Sequence, residues 1–140
     1  MTRQAAFALH PRLAADTMQI GELPLSRLLL MNDARFPWCI LVPRRQGLRE
    51  LHELDAGESA ELFTEIRRLS VLLLALGNVD KLNVGALGNR VPQLHVHVIA
   101  RRAGDAAWPD PVWGRGAAQP YTAATVQALL TELQAGLGLR

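Results

Sequence analysis

Residues 93–99 read QLHVHVI: two of the chain's four histidines lie two positions apart in an apolar run, with a glutamine two positions before the first. In an extended strand side chains alternate, so Gln93, His95, His97 and Ile99 share one face, and Leu94, Val96 and Val98 share the other. Imidazoles at that spacing are about 7 Å apart along the strand. The distance suits two neighbouring atoms of one substrate or two ligands of one metal. Three readings compete. The plainest is a sheet face with two hydrogen-bonded histidines. A metal site would need a third and fourth ligand, yet His10, His52, Cys39 and the nearby carboxylates show no ligand-like spacing. The third is nucleophilic catalysis, in which one neutral imidazole attacks phosphorus while the other serves the leaving oxygen. Asn83, Gly85, Gly88 and Asn89, just upstream, supply small residues and amide donors where backbone N–H groups can cradle a phosphate. A tight turn also calls for glycine, so the loop alone decides nothing.

The elements that must hold these residues read as α+β with a largely antiparallel sheet. LSRLLLM (25–31) and WCILVP (38–43) make a hairpin, the second strand fenced by Pro37 and Pro43. A short strand before Leu25 is open. Asp55 with Glu58 three residues on forms a capping box that starts a helix. Leu62, Ile66, Leu69, Leu73 and Leu76 give it one apolar stripe, and Gly77-Asn78 stops it. Glu58, Glu61, Glu65, Arg67 and Arg68 are expected on its polar face. Its second half is apolar all round, so it is either deeply buried or covered by a partner chain. DKLNVGAL (80–87) and LHVHVIAR (94–101) read as two further strands joined by a turn at Gly88-Asn89-Arg90. A tail rich in Pro, Trp and Gly follows, then a helix over about 122–137.

Bulk properties narrow the classes. With 140 residues, 49% of them hydrophobic, the chain fits one domain over 1–140 with a real core. No apolar run approaches the roughly 18 residues of a membrane span, and the first seventeen residues do not read as a signal peptide. The single cysteine, Cys39, forbids an internal disulfide and makes the cytoplasm the expected compartment. The net charge is +2, and all but Lys81 of the 15 basic residues are arginines, in pairs at most. Without a basic stripe interleaved with aromatics, a nucleic-acid polymer is not an expected partner; small phosphorylated ligands stay open.

GNRVPQLHVHVIAR (88–101) resembles the signature of the histidine triad (HIT) family, His-φ-His-φ-His-φ-φ with φ apolar, its first histidine replaced by Gln93. FPWCILVPRR, the capped helix, DKLNVGALGN and the Trp-Pro tail follow in the family's order, so the resemblance covers about 23–113. It implies a five-stranded antiparallel sheet with two helices, paired as a homodimer, and no cofactor. The implied chemistry is nucleotidyl transfer to water through a nucleotidyl-histidine. His95 takes the nucleophile's place, His97 the residue that bonds the phosphate and leaving-group region, and Gln93 the position whose carbonyl and side chain orient the nucleophile. Asn83 matches an asparagine touching phosphate or ribose, Asn89 a phosphate-binding glutamine, and Asn32 or Asp33 a ribose-hydroxyl ligand. Arg90 stands where relatives often carry Ser or Thr: it is either a phosphate clamp or an exposed turn residue. Trp38 reads as packing, Trp108 or Trp113 as reaching a partner's site or fixing the tail, and His10 and His52 as surface residues. Glutamine cannot titrate, so the resemblance implies either an active enzyme with altered rate or leaving-group preference, or a nucleotide-binding module with weak or no catalysis. A site that needs neutral His95 loses activity below about pH 6.

Overall fold

The computed structural model describes residues 7–139; residues 1–6 and 140, which the expected domain over 1–140 includes, lie outside the described residues. In chain order the elements are α1 (Pro11–Asp16), β1 (Thr17–Glu22), β2 (Ser26–Met31), β3 (Trp38–Pro43), a 3₁₀ turn (Leu51–Glu53), α2 (Ala56–Ala75), β4 (Lys81–Gly85), β5 (Val96–Arg101) and α3 (Ala123–Gly136). All five strands pair antiparallel in the order β1-β2-β3-β5-β4. The hairpin of β2 and β3 runs from Ser26 opposite Pro43 to Leu30 opposite Cys39. The strand before Leu25 is β1.

Among the described residues there are three helices where two were expected. The additional one, α1, is a single short segment with no apolar period of its own. The Nδ1 of His10 caps it, accepting from Arg12 N at 3.0 Å, and Pro11 sits in its first turn. His10 is therefore a half-buried cap and not simply a surface residue, whereas His52 is exposed.

The sheet separates two cores. Cys39 and Leu41 of β3 and Val96, Val98 and Ala100 of β5 pack with Leu62, Leu69 and Leu73 of α2 and Leu133 of α3. The expected valine face is thus core. Leu69 and Leu73 are wholly buried, and truncating either to Ala should cost about 2–5 kcal/mol. The opposite face carries Leu29, Trp38, Ile40, Val42 and Ile99, covered by Leu13 of α1 and by Ala107 and Val112 of the tail.

Helix α2 begins with the predicted box, in which Glu58 N donates to Asp55 Oδ1 at 2.8 Å and Asp55 N to Glu58 Oε1 at 3.0 Å. It ends at Gly77 and Asn78, both in the left-handed region. One expectation about it fails, and of the two alternatives for its second half deep burial is removed, which leaves cover by a partner chain. Glu65 is fully buried instead of on the polar face, because its Oε2 accepts the first free N–H of β2's approach, Leu25 N, at 2.7 Å. The second half is not deeply buried: Val71 and Leu74 are exposed, as is Phe63 nearer the start. The strands either side of the glycine loop are also shorter than expected. Residues 86–95 form one extended connection and not a tight turn, since Leu94 N is drawn to Leu48 O and Pro92 cannot donate to a ladder.

Candidate active site

His97 lies in β5 opposite Ile40 of β3 and Gly85 of β4, while His95 sits just before the strand starts. Both rings are buried, 6% exposed for His95 and 5% for His97, and they meet edge to face with centroids 4.9 Å apart. Together they line a cleft of about 750 Å³, within the range of small-molecule sites. Its far walls are Arg12 and Asp16 of α1, Asn32, Asp33 and Arg35 after β2, Gly88 to Val91, and Trp113 with the tail glycines.

Each imidazole is oriented by a different partner. Nδ1 of His95 lies 2.7 Å from the carbonyl oxygen of Gln93. A carbonyl only accepts, so Nδ1 carries the proton and Nε2 keeps its lone pair in the neutral ring. His97 is held the opposite way. The indole Nε1 of Trp38 donates to its Nδ1 at 3.0 Å, which leaves the proton of the neutral ring on Nε2. One unprotonated nitrogen and one N–H donor thus stand side by side. Burial, with the neighbouring His95 charge, pushes the His97 pKa down to about 3.

The aromatic surroundings fix His97 further. Trp113 packs edge-on to it at 5.2 Å, and Trp38 lies tilted against it at 5.7 Å. Gly85 lets Trp113 pack this close: a Cβ there would stand 3.3 Å from its ring, which would have to give by a few tenths of an ångström. The tail that brings Trp113 is anchored by a buried ion pair. Arg101 Nε and Nη2 bond the two Asp105 oxygens at 2.8 and 2.9 Å, and the guanidinium lies between the rings of Phe36 and Trp108. The pairing with Arg101 outweighs burial and holds the Asp105 carboxyl well below the usual range. So Trp108 and Trp113 fix the tail onto this chain's own sheet.

The other expected site residues divide. Asn32, Asp33, Asn89 and Arg90 line the histidine cleft. Asp33 is spent internally: burial would raise its pKa, but bonds from Arg35 and from Gln119 N bring the net shift down. Asn32 uses its Oδ1 to accept from Tyr121 N at 2.9 Å. Arg90 is exposed and has no ion pair among the described residues. Asn83 stands apart, bonded to Arg101 Nη1 at 2.9 Å and lining a separate groove outside Trp113. The Gln93 side chain also turns away from the histidines. Its Oε1 accepts from His10 N and its Nε2 donates to Ala8 O, both at 2.8 Å. Only its backbone braces His95. Among the described residues no three of His, Cys, Asp and Glu converge as a metal cage.

Sequence reasoning missed three contributors. Trp38 is packed as expected, but its N–H also sets the His97 tautomer; its place at the start of the strand beside β5 was the available signal. Arg12 and Asp16, paired at 2.9 Å on α1, escaped because the helix itself did.

The HIT domain model matches residues 12–104. The chain resembles the crystal structures of the histidine triad protein blr8122 from Bradyrhizobium japonicum (51% identity, 94% of this chain and 98% of that one, TM-score 0.91) and of a histidine triad protein from Marinobacter aquaeolei VT8 (49% identity, 94% and 96%, TM-score 0.92). It is also 28% identical over 82 residues to the asymmetrical bis(5'-nucleosyl)-tetraphosphatase of Schizosaccharomyces pombe. That match spans 55% of this chain and 45% of the yeast enzyme. With the family model covering residues 12–104 and both histidines inside it, the chain belongs to the HIT domain family.

Proposed function

We propose that this protein is a nucleotide hydrolase or nucleotidyltransferase acting on a nucleotide conjugate through a nucleotidyl-histidine at His95. The observation that carries the reading is the bond from His95 to the Gln93 carbonyl, which leaves Nε2 unprotonated on a residue lining the cleft. In the first step the Nε2 lone pair forms a bond to the α-phosphorus and the bond to the leaving group breaks. The ring becomes cationic, and the carbonyl on Nδ1–H stabilises the charge as it develops. Water then attacks the same phosphorus, the P–N bond breaks, the water's proton passes through the phosphate to solvent, and neutral His95 returns with release of the nucleoside monophosphate. His97 donates its Nε2–H toward the reacting phosphate, and Arg90 supplies a positive charge at the mouth. Gln93 is read as standing where the family's first triad histidine would be, with its backbone role kept.

The named activity of the yeast relative supports a dinucleoside polyphosphate among the conjugates, and a nucleoside phosphoramidate is the other class. The cytoplasm is the location that goes with this reading. A homodimer belongs to it too: Val71 and Leu74 on α2, and Val84 and Leu87 on or beside the edge strand β4, are exposed apolar residues on a single chain. A dimer mass in light scattering is expected, and a monomer at working concentration would remove this part.

The central test is release of nucleoside monophosphate from both conjugate classes, with acid-quench mass spectrometry for nucleotide mass on His95. Turnover unchanged in His95→Ala removes His95 from the mechanism. Tight monophosphate binding without turnover, and no gain on Gln93→His, would leave a nucleotide-binding module instead.

A further inference from the structure

The hydrogen bond between Trp38 and His97 carries more than packing. An indole N–H can donate but never accept. Because it points at Nδ1 of His97 at 3.0 Å, that nitrogen has to keep its lone pair. Protonating His97 would set an N–H against an N–H between two nearly buried groups: Trp38 is 6% exposed and His97 5%. Trp38 has little room to swing away, wedged edge-on between Phe36 and Trp113 with both centroids at 6.4 Å. The groups facing His97 do not favour a cation there. Ile40 and Gly85 flank it in the sheet and Trp113 covers it, all without charge. His95 is the titratable ring in contact. Across the cleft Arg12 is paired with Asp16 and Arg35 with Asp33, which leaves the charge of Arg90.

We propose that Trp38 is a positioning residue that locks His97 as a neutral Nε2–H donor, and that the site consequently takes phosphoanhydride conjugates in preference to phosphoramidates. The inference rests on the hydrolase reading and deepens it. A phosphate or nucleotide leaving group departs as an anion and needs only a hydrogen bond on its oxygen. The amine of a phosphoramidate must gain a proton as the P–N bond breaks, and that proton calls for a general acid. A neutral Nε2–H whose Nδ1 is already occupied by an indole donor supports the first departure and serves the second poorly.

The test begins with the free wild-type protein carrying ¹⁵N-labelled histidine. Its imidazole nitrogens are followed from about pH 5 to about pH 9, the range in which an ordinary histidine titrates. The expected result for His97 is an unprotonated Nδ1, a protonated Nε2 and no titration; an Nδ1–H tautomer or a midpoint inside that range overturns the proposal. Trp38→Phe keeps the ring and removes the donor, so His97 should become a tautomer mixture or begin to titrate. Unchanged shifts in a folded Trp38→Phe overturn it as well, and should that variant not fold, the wild-type shifts still decide.

Kinetics give the second arm. Wild-type kcat/KM should favour an adenosine polyphosphate conjugate over adenosine phosphoramidate by about a hundredfold, the lower end of the usual range for one general acid. Trp38→Phe should narrow that ratio. Equal or better turnover of the phosphoramidate, still dependent on His95, overturns the inference and leaves the hydrolase reading standing. No turnover of either conjugate overturns the hydrolase reading instead, while the imidazole shifts separately decide the Trp38 lock.

Discussion

His95 and His97 are two residues apart, yet different kinds of chemistry brace them. His95 leans on a backbone carbonyl, which every amino acid at position 93 supplies. His97 leans on an indole N–H, which tryptophan alone supplies in that form. The first arrangement tolerates substitution at its bracing residue; the second does not. The contrast explains how a glutamine can occupy position 93 while its side chain serves elsewhere, holding residues 8 and 10.

The sharpest way to break the comparison is to remove the nucleophile's side. His95→Ala should lower turnover of any accepted conjugate by roughly 10⁴-fold or more, the scale on which loss of a covalent nucleophile acts. Steady-state release of monophosphate measures it. A loss of only a few fold would show that His95 forms no covalent bond.

The His97 side depends on the tail that carries Trp113, so the buried Arg101–Asp105 pair comes next. Asp105→Asn leaves the Arg101 charge uncompensated between two rings and should cost about 3 kcal/mol in denaturant unfolding. The pH dependence has a definite sign. The native carboxyl titrates below its unfolded value, so its contribution is full above about pH 4, the unfolded value, and is lost as pH falls further. Asp105→Asn should therefore flatten the acid limb of stability; an unchanged limb would assign it to other carboxylates.

How much of this was legible in the sequence depends on how far each partner lies along the chain. The α2 start was legible because the Asp55–Glu58 box is local, and the core stripe because Leu62, Leu69 and Leu73 repeat at helical spacing. The face carrying His95 and His97 followed from strand alternation alone. Glu65 was not legible: at its position on α2 it looks like any surface glutamate, and its partner Leu25 N is forty residues away. The short helix α1 has its cap in His10, whose backbone is held by Gln93, eighty-three residues on. Trp38 needed the β3–β5 register, which no single strand contains. Resemblance placed Asn83 at the site, but only the folded chain shows it bound to Arg101 on the outer side of Trp113.

His97→Gln sharpens the comparison at the next scale down. Glutamine can keep a neutral N–H donor but cannot titrate. If His97 acts by donation alone, this variant should retain activity within about tenfold of wild type on a phosphoanhydride, while His97→Ala should lose about 10²-fold. Equal losses in the two variants would mean that His97 contributes more than a donor.

The smallest effect is expected at Gln93. Gln93→Ala keeps the carbonyl that braces His95 and removes only the clamp on Ala8 and His10. Two part-exposed hydrogen bonds are lost, so stability should fall by about 1 kcal/mol. On a phosphoanhydride kcat should stay within about threefold of wild type, a difference of well under 1 kcal/mol in the barrier. KM is free to rise, because the released segment leads into α1, whose Arg12 and Asp16 form one wall of the cleft. A KM effect with kcat preserved would place the work of this side chain in the wall; a collapse of kcat would return it to the chemistry, and the contrast between the two braces would fail.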